Sequence, residues 1–281
     1  MSRIAMCACP GCTSNGTIKV DLFRRGGRSA FLCEYHANLE RSYSTKNDER
    51  RGTVKVHPYT FGIELETSRT SDKARLELLN DGFLPTSDGS IRGSEYKSNI
   101  YNGLNALSKH VTTIGRMIES DEMEIGNECG THTHVGNRDM INPETMDYIR
   151  RFYHSLFVKL SDEMRRCPRE TVALFGRNFT YYADSINEYS TPTDHTNFIN
   201  TQHSYTLEFR LVKFITAKQY MQAVKFCAAA TEAVVNNFVA HFNDHDFDRT
   251  RYATIKEYRK HKADVAANKL VKLFHKYADN I

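Results

Sequence analysis

The chain has 281 residues, of which 40% are hydrophobic and 11% aromatic, enough to bury a sizeable core and too many for wholesale disorder. Lys and Arg total 38 against 34 Asp and Glu, and the resulting +4 is a sum of unlike parts. Ten basic and five acidic residues give +5 over 1–55, 19 and 26 give −7 over 56–248, and nine and three give +6 over 249–281, which excludes a uniformly basic nucleic-acid binder. No stretch reaches the roughly 20 apolar residues that span a bilayer. The opening MSRIAMCACPGC lacks the apolar core of a signal peptide, so the expected setting is cytoplasmic, with no membrane partner. Seven cysteines in that setting point to thiols or metal ligands rather than a disulfide framework.

The first element is a pair of ligand knuckles. Cys9-Pro10-Gly11-Cys12 and Cys33-Glu34-Tyr35-His36 each separate two zinc-type donors by two residues, the gap that lets a tight turn aim both side chains at one ion. Between them Thr17–Val20 and Ser29–Leu32 flank Arg25-Gly26-Gly27, a strand, turn and strand. Residues 1–40 therefore read as a zinc-ribbon-like segment with a structural Zn²⁺ on Cys9, Cys12, Cys33 and His36, since four protein ligands leave no open position. Cys7 reads either as a ligand in place of Cys9 or His36 or as a free thiol nearby. Residues 41–55 are polar and unpatterned, a linker to a domain at 56–281.

In that domain helices are expected near 70–80, 101–119, 143–165, 217–242 and 252–278, and strands near 58–67, 84–98, 130–136 and 205–214. Asn142-Pro143 marks a helix start, with an N-cap before Pro at the first helical position. Residues 183–203 read as a long polar loop, a length more often functional than not. Strands scattered among helices without a regular βαβ rhythm give an α+β class.

Four of these strands carry the chemistry. Residues two apart share a face of a strand. In FGIELE, Phe61, Ile63 and Leu65 face one way and Glu64 and Glu66 the other. THTHV puts His132 and His134 together, SEYK does the same for Glu95 and Lys97, and TLEFRL pairs Glu208 with Arg210. A solvated polar face would explain any one strand. Repeated Glu-x-Glu and His-x-His on several are costly unless a cation relieves them, and oxygen-rich ligation suits Mg²⁺ or Mn²⁺.

The ordered set FGIELE, SDGS…E, CGTHTHVG, GRN and TLEFR resembles the amidoligase family of the carboxylate–amine ligase superfamily, over residues 58 to about 235. The resemblance implies a glutamine synthetase-like curved antiparallel sheet whose concave face holds ATP and divalent metals, with helices outside. It implies Glu64, Glu66, Asp88, Glu95 and Glu208 as Mg²⁺ ligands. It also implies His132 and His134 near metal and nucleotide phosphates, and Arg177 and Arg210 as phosphate or carboxylate contacts. The reaction implied is ATP-dependent amide formation between a carboxylate and an amine, small molecule, peptide or protein, through an acyl phosphate. Where the family often has Val-Ser-Pro, this chain has Lys97-Ser98-Asn99, and Lys213-Phe214-Ile215-Thr216 stands where many members have a Gly-Thr turn. Both departures lie near the expected substrate end. Lys97, Lys213 and the 183–203 loop are further candidates for substrate contacts or a lid.

Other conspicuous residues have plainer readings. Cys129, Cys167 and Cys227 read as packed or surface thiols, and His241 and His245 with Asp244, Asp246 and Asp248 as a helix-exit loop. The helix from Ala217 reads as core packing. Lys256, Arg259, Lys260, Lys262, Lys269, Lys272 and Lys276 form a solvated face or a contact for an anionic partner such as nucleic acid. The alternatives to a ligase are a metallohydrolase or phosphotransferase on the same Glu/His surface, and a zinc-ribbon module binding nucleic acid or protein beside an inactive centre.

Overall fold

The computed structural model describes residues 5–6, 15–16, 18–22, 28–32, 59–86, 93–137, 140–242 and 254–281. The zinc-type donors Cys9, Cys12, Cys33 and His36, together with Cys7, the 41–55 linker, Asp88, His245 and the aspartates Asp244, Asp246 and Asp248, lie outside the described residues. Near the N-terminus β1 (Ala5–Met6) pairs with β2 (Asn15–Gly16), and β3 (Ile18–Leu22) pairs antiparallel with β4 (Arg28–Leu32) from Ile18 opposite Leu32 to Leu22 opposite Arg28. That ladder pairs the two strands expected there, and the expected turn at Arg25-Gly26-Gly27 lies outside the described residues.

The remainder is α+β. In chain order it comprises β5 (Thr60–Thr67), β6 (Arg69–Thr70), α1 (Asp72–Asn80), β7 (Leu84–Thr86), β8 (Ser94–Lys97), β9 (Tyr101–Asn102), α2 (Leu104–Glu119) and β10 (Met123–Glu124). Then come β11 (Thr131–Gly136), α3 (Pro143–Arg151), α4 (Tyr153–Arg166), α5 (Pro168–Phe175), β12 (Ile199–Asn200), β13 (Thr206–Phe209), α6 (Ala217–Phe242) and α7 (Ile255–Ala278). A seven-stranded sheet runs β12-β13-β11-β5-β8-β7, with β9 also on β5, and it does not close. Its strand pairs are all antiparallel.

Alternation in β5 decides which side is core. Phe61, Ile63 and Leu65 are buried and join Val135, Leu207 and Phe209 in one cluster with side chains of α2 to α7. Each fully buried side chain of this size contributes about 1.5–3 kcal/mol, which fixes the register, because a slip by one residue would turn the row of carboxylates into the core. Thr133 on β11 bonds Tyr220 Oη on α6 at 2.9 Å, Phe175 on α5 meets Phe226 on α6, and Tyr148 on α3 accepts from Asn237 on α6 at 2.6 Å. These contacts place α6 against the apolar face of the sheet and α3 and α5 against α6, and the opposite face carries the polar residues of the site.

Helix starts follow local chemistry. Asn142 Oδ1 accepts from the backbone N–H groups of Glu144 and Thr145 at 3.0 Å each, with Pro143 beside it, as the sequence predicts. Thr254 and Glu257 make a reciprocal capping box on α7. Three expectations need correction. The single helix expected over 143–165 is two, α3 and α4, broken at Phe152, where no Pro or Gly announces the break. The strand expected over 84–98 is two, β7 and β8, paired antiparallel with Thr86 opposite Glu95. The strand expected to run to 214 stops at Phe209, and residues 210–214 continue irregularly, bonding Thr131 through Val212 and Phe214. A further short helix, α5, follows α4 directly, with Pro168 at its start.

Candidate metal centre

Strand pairing sets the polar residues in three short rows. Asn200, Glu208 and His134 stand opposite one another across β12, β13 and β11. His132, Glu64 and Lys97 do so across β11, β5 and β8, and Glu66, Glu95 and Thr86 across β5, β8 and β7. Directly opposite residues share a face. Glu64, Glu66, Glu95, Glu208, His132, His134 and Arg210 therefore converge as the alternation predicts.

His132 is the hub. Its Nδ1 lies 3.4 Å from Glu64 Oε2 and 3.3 Å from Glu208 Oε1, and its Nε2 lies 3.5 Å from Glu66 Oε1. His134 Nε2 points at Glu64 Oε1 from 3.4 Å, is buried, and has no hydrogen-bond partner. The other nitrogen of that ring, Nδ1, sits 3.4 Å from Thr206 Oγ1, the kind of outer contact that orients a metal-binding histidine. Donor atoms of Glu64, His134 and Glu208 all lie within 4.8 Å of one another. A direct charged N–H···O bond is about 2.7–2.9 Å. Neighbouring ligands each about 2.1 Å from one octahedral ion stand about 3.0 Å apart, so a bound ion would draw these groups slightly closer. The imidazole–carboxylate gaps exceed a direct charged hydrogen bond, and His134 Nε2 is left without a hydrogen-bond partner, while the Glu64 Oε1 that it faces is also held by Lys97 Nζ at 2.8 Å.

The rest of the site buttresses these groups. Glu208 accepts from Asn200 Nδ2 at 2.7 Å and from Arg210 Nη1 at 2.7 Å. Glu66 accepts the Gly130 N–H at 2.5 Å, and Glu95 accepts from Thr86 Oγ1 at 2.7 Å. Lys97 Nζ bridges Glu64 at 2.8 Å and Glu95 at 3.0 Å. Burial pushes the Glu64 carboxyl upward, but the His132 and His134 rings and the Lys97 charge overcome it and hold the group well below the carboxylate range. Glu208 behaves likewise, burial being outweighed by the two imidazoles and Arg210. Burial lowers His134, yet Glu64 and Glu208 raise it on balance. The Glu64 and His134 side chains, 19% and 14% exposed against 3% for Glu208, mark the side open to a ligand.

Arg177 lies beside the centre with its charge near Glu66, and backbone carbonyls hold it there. Its guanidinium donates to the carbonyls of Leu211 at 3.1 Å, Cys129 at 3.3 Å and Arg210 at 2.8 Å. Lys213 is buried with Nζ 3.4 Å from Asn127 Oδ1, its charged form disfavoured by burial and by Arg177. Burial lifts the buried Cys129 thiol to about 11, which fits a packed group rather than a nucleophile. Gly130 is required by close approach, since a Cβ there would lie 2.9 Å from Arg177 Nη2 and 3.1 Å from His132 Nε2. The guanidinium is pinned by three carbonyls, so the His132 ring must give way. Gly130→Ala should weaken Mn²⁺ binding roughly tenfold, as disturbing an outer partner does, with the circular dichroism spectrum unchanged; an isothermal titration measures it.

Two contributors escaped the sequence. The 183–203 loop delivers Asn200, through β12, and His203, whose Nε2 lies 3.8 Å from Glu208 and whose ring meets His134 edge-on at 5.4 Å. Neither has a periodic pattern around it, and only the length and polarity of the 183–203 loop pointed to a role. A second donor group, Glu163, Cys167 and His275, joins α4 to α7, but its oxygens are engaged by His275 at 2.9 Å and Arg166 at 2.8 Å, an ordinary surface ion pair. On α7, Lys256, Lys260, Lys269, Lys272 and Lys276 are exposed. Among the described residues no helix is long and apolar enough to cross a membrane.

Comparison with models of known protein families returns no match for this chain, and no curated protein sequence matches it either.

Proposed function

We propose that the chain is a divalent-metal- and ATP-dependent carboxylate–amine ligase, an amidoligase whose metal is Mg²⁺ or Mn²⁺. The observation that carries the proposal is the polar face itself. Glu64, His134 and Glu208 from three neighbouring antiparallel strands converge with an unpartnered Nε2 among them, in the motif order that resembles the amidoligases. The N-terminal pairs Cys9/Cys12 and Cys33/His36 are proposed to hold a structural zinc.

Hydroxide is a poor leaving group, so a carboxylate must be activated before an amine displaces its oxygen. In the proposed reaction a substrate carboxylate oxygen attacks the γ-phosphorus of ATP, the bond to the bridging oxygen breaks, and ADP leaves. The amine nitrogen then attacks the acyl carbon, phosphate departs with the C–O bonding pair, and the nitrogen loses a proton to solvent. Such phosphoryl transfer demands positioning and charge neutralisation rather than covalent help. A divalent ion on Glu64, His134 and Glu208 would supply charge neutralisation at phosphate oxygens. Arg210, fixed by Glu208 and by the Tyr182 carbonyl at 3.4 Å, presents a guanidinium at the rim suited to an anionic oxygen. Asn200, Thr86 and the Gly130 N–H hold the carboxylates in place. No Walker A pattern occurs in the sequence, so ATP binds without a P-loop in this reading.

The test is a mass-spectrometric screen of amines and carboxylates with ATP and Mg²⁺. The expected product weighs the sum of two substrates less one water, with ADP and phosphate in equal amounts. Water-driven ADP release indifferent to every amine would favour the hydrolase alternative. No turnover, with salt-sensitive capture of DNA or RNA, would favour the binding module.

A further inference from the structure

We propose that Lys97 occupies the place of a second metal ion, so that this centre holds a single resident divalent cation on Glu64, His134 and Glu208. The inference rests on the metal-centre reading above and limits it. Four carboxylates on one face would otherwise accommodate two or three ions. The Lys97 ammonium, however, lies between Glu64 Oε1 at 2.8 Å and Glu95 Oε1 at 3.0 Å. Those are charged hydrogen-bond distances, in contrast to the 3.3–3.5 Å gaps around the histidines. The oxygens that would bridge a second ion are thus already drawn together by a cation.

The placement follows from the fold. Lys97 stands directly opposite Glu64 in the β5–β8 ladder and two residues beyond Glu95 on the same face, so one side chain reaches both acids. Thr86 donates to the same Glu95 oxygen at 2.7 Å, leaving that atom with two donors. Charge leads to the same count. Glu64, Glu66, Glu95 and Glu208 face Lys97, Arg210 and Arg177, so one divalent ion brings these groups to +1, fit for an anionic ligand. A second would bring them to +3 in a site where Glu66, Glu95, Glu208 and His132 are buried.

Metal stoichiometry tests this on the whole zinc-loaded chain with Mn²⁺ as the probe and no nucleotide present, by equilibrium binding and by electron paramagnetic resonance. The wild type should bind one Mn²⁺ with an uncoupled spectrum. Lys97→Met should bind two with the exchange-coupled signal of neighbouring ions, and Lys97→Arg should still bind one. Lys97→Gln gives the same reading as Lys97→Met if the apolar side chain prevents folding, which a thermal melt reveals. Two or more ions in the wild type, or one in both folded neutral variants, overturns the inference and leaves the metal centre standing. No Mn²⁺ at all in the wild type overturns the metal-centre reading itself.

Discussion

Glu64→Gln should abolish Mn²⁺ binding at the sheet centre, weakening it by at least roughly 100-fold, more than loss of an outer partner costs. The substitution keeps the shape of the side chain and removes its charge. Glu64 has the largest share in the centre. One oxygen faces the orphaned His134 Nε2 at 3.4 Å, and the other faces His132 Nδ1 at the same distance. Against the upward push of burial, those rings and Lys97 hold its carboxyl well below the usual range, which favours the ionised form that binds a metal. An amide has one weak acceptor oxygen and an NH₂ that cannot ligate a metal. Nucleotide binding that depends on Mg²⁺ should fall with it. Glu95→Gln is the control. Glu95 lies outside the Glu64–His134–Glu208 trio and is engaged by Thr86 and Lys97, so Mn²⁺ affinity should change little. Nucleotide binding indifferent to Glu64→Gln would remove the basis of the ligase proposal.

The face on which Glu64 sits was readable from residue spacing alone, because strand alternation is local. Phe61, Ile63 and Leu65 are apolar at every second position, so the polar face of β5 needed no partner strand to be known. The same holds for His132 with His134 and for Glu208 with Arg210. What spacing does not contain is pairing. That His134 stands opposite Glu208 and His132 opposite Glu64 depends on contacts between residues some 70 positions apart, separated by helices whose packing sets the register. Until that register is known, the row of carboxylates is a list of residues and not a site.

Lys97 illustrates the limit further. As a residue beside Glu95 it was a candidate for substrate contact. Its role as a bridge between Glu64 and Glu95 exists only once β8 lies against β5. Asn200 and His203 come from a segment without periodicity, where composition announces a loop but not what it touches. At Phe152 the helical pattern continues on either side of the break, so tertiary packing of α3 and α4 overrides a local signal that was uniform. The α5 start had a local signal in Pro168, too close to the preceding helix to be separated from it.

Arg177 has a structural role that residue spacing does not announce, and its removal should have the largest effect on stability. Gly176, with φ of 79°, adopts the left-handed conformation that ends α5 and turns the chain so that Arg177 enters the protein. A Cβ at Gly176 would lie 2.4 Å from the Lys213 carbonyl, so glycine is required on two counts. From that turn the guanidinium ties the Cys129 carbonyl, just before β11, to the Arg210 and Leu211 carbonyls, just after β13. Arg177→Ala leaves three carbonyls without this donor and opens a void beside Gly130. The expected cost is about 3–5 kcal/mol, read from the urea midpoint and slope. Arg177→Lys should recover less than half of it, because one ammonium cannot reproduce a planar fork reaching three fixed oxygens. A residue that served mainly to clamp a substrate phosphate would behave in the opposite way, with the midpoint unmoved and KM raised in Arg177→Ala. Because the same side chain also fixes the loop carrying Gly130, whose N–H holds Glu66 at 2.5 Å, any folded fraction of Arg177→Ala should bind Mn²⁺ more weakly as well.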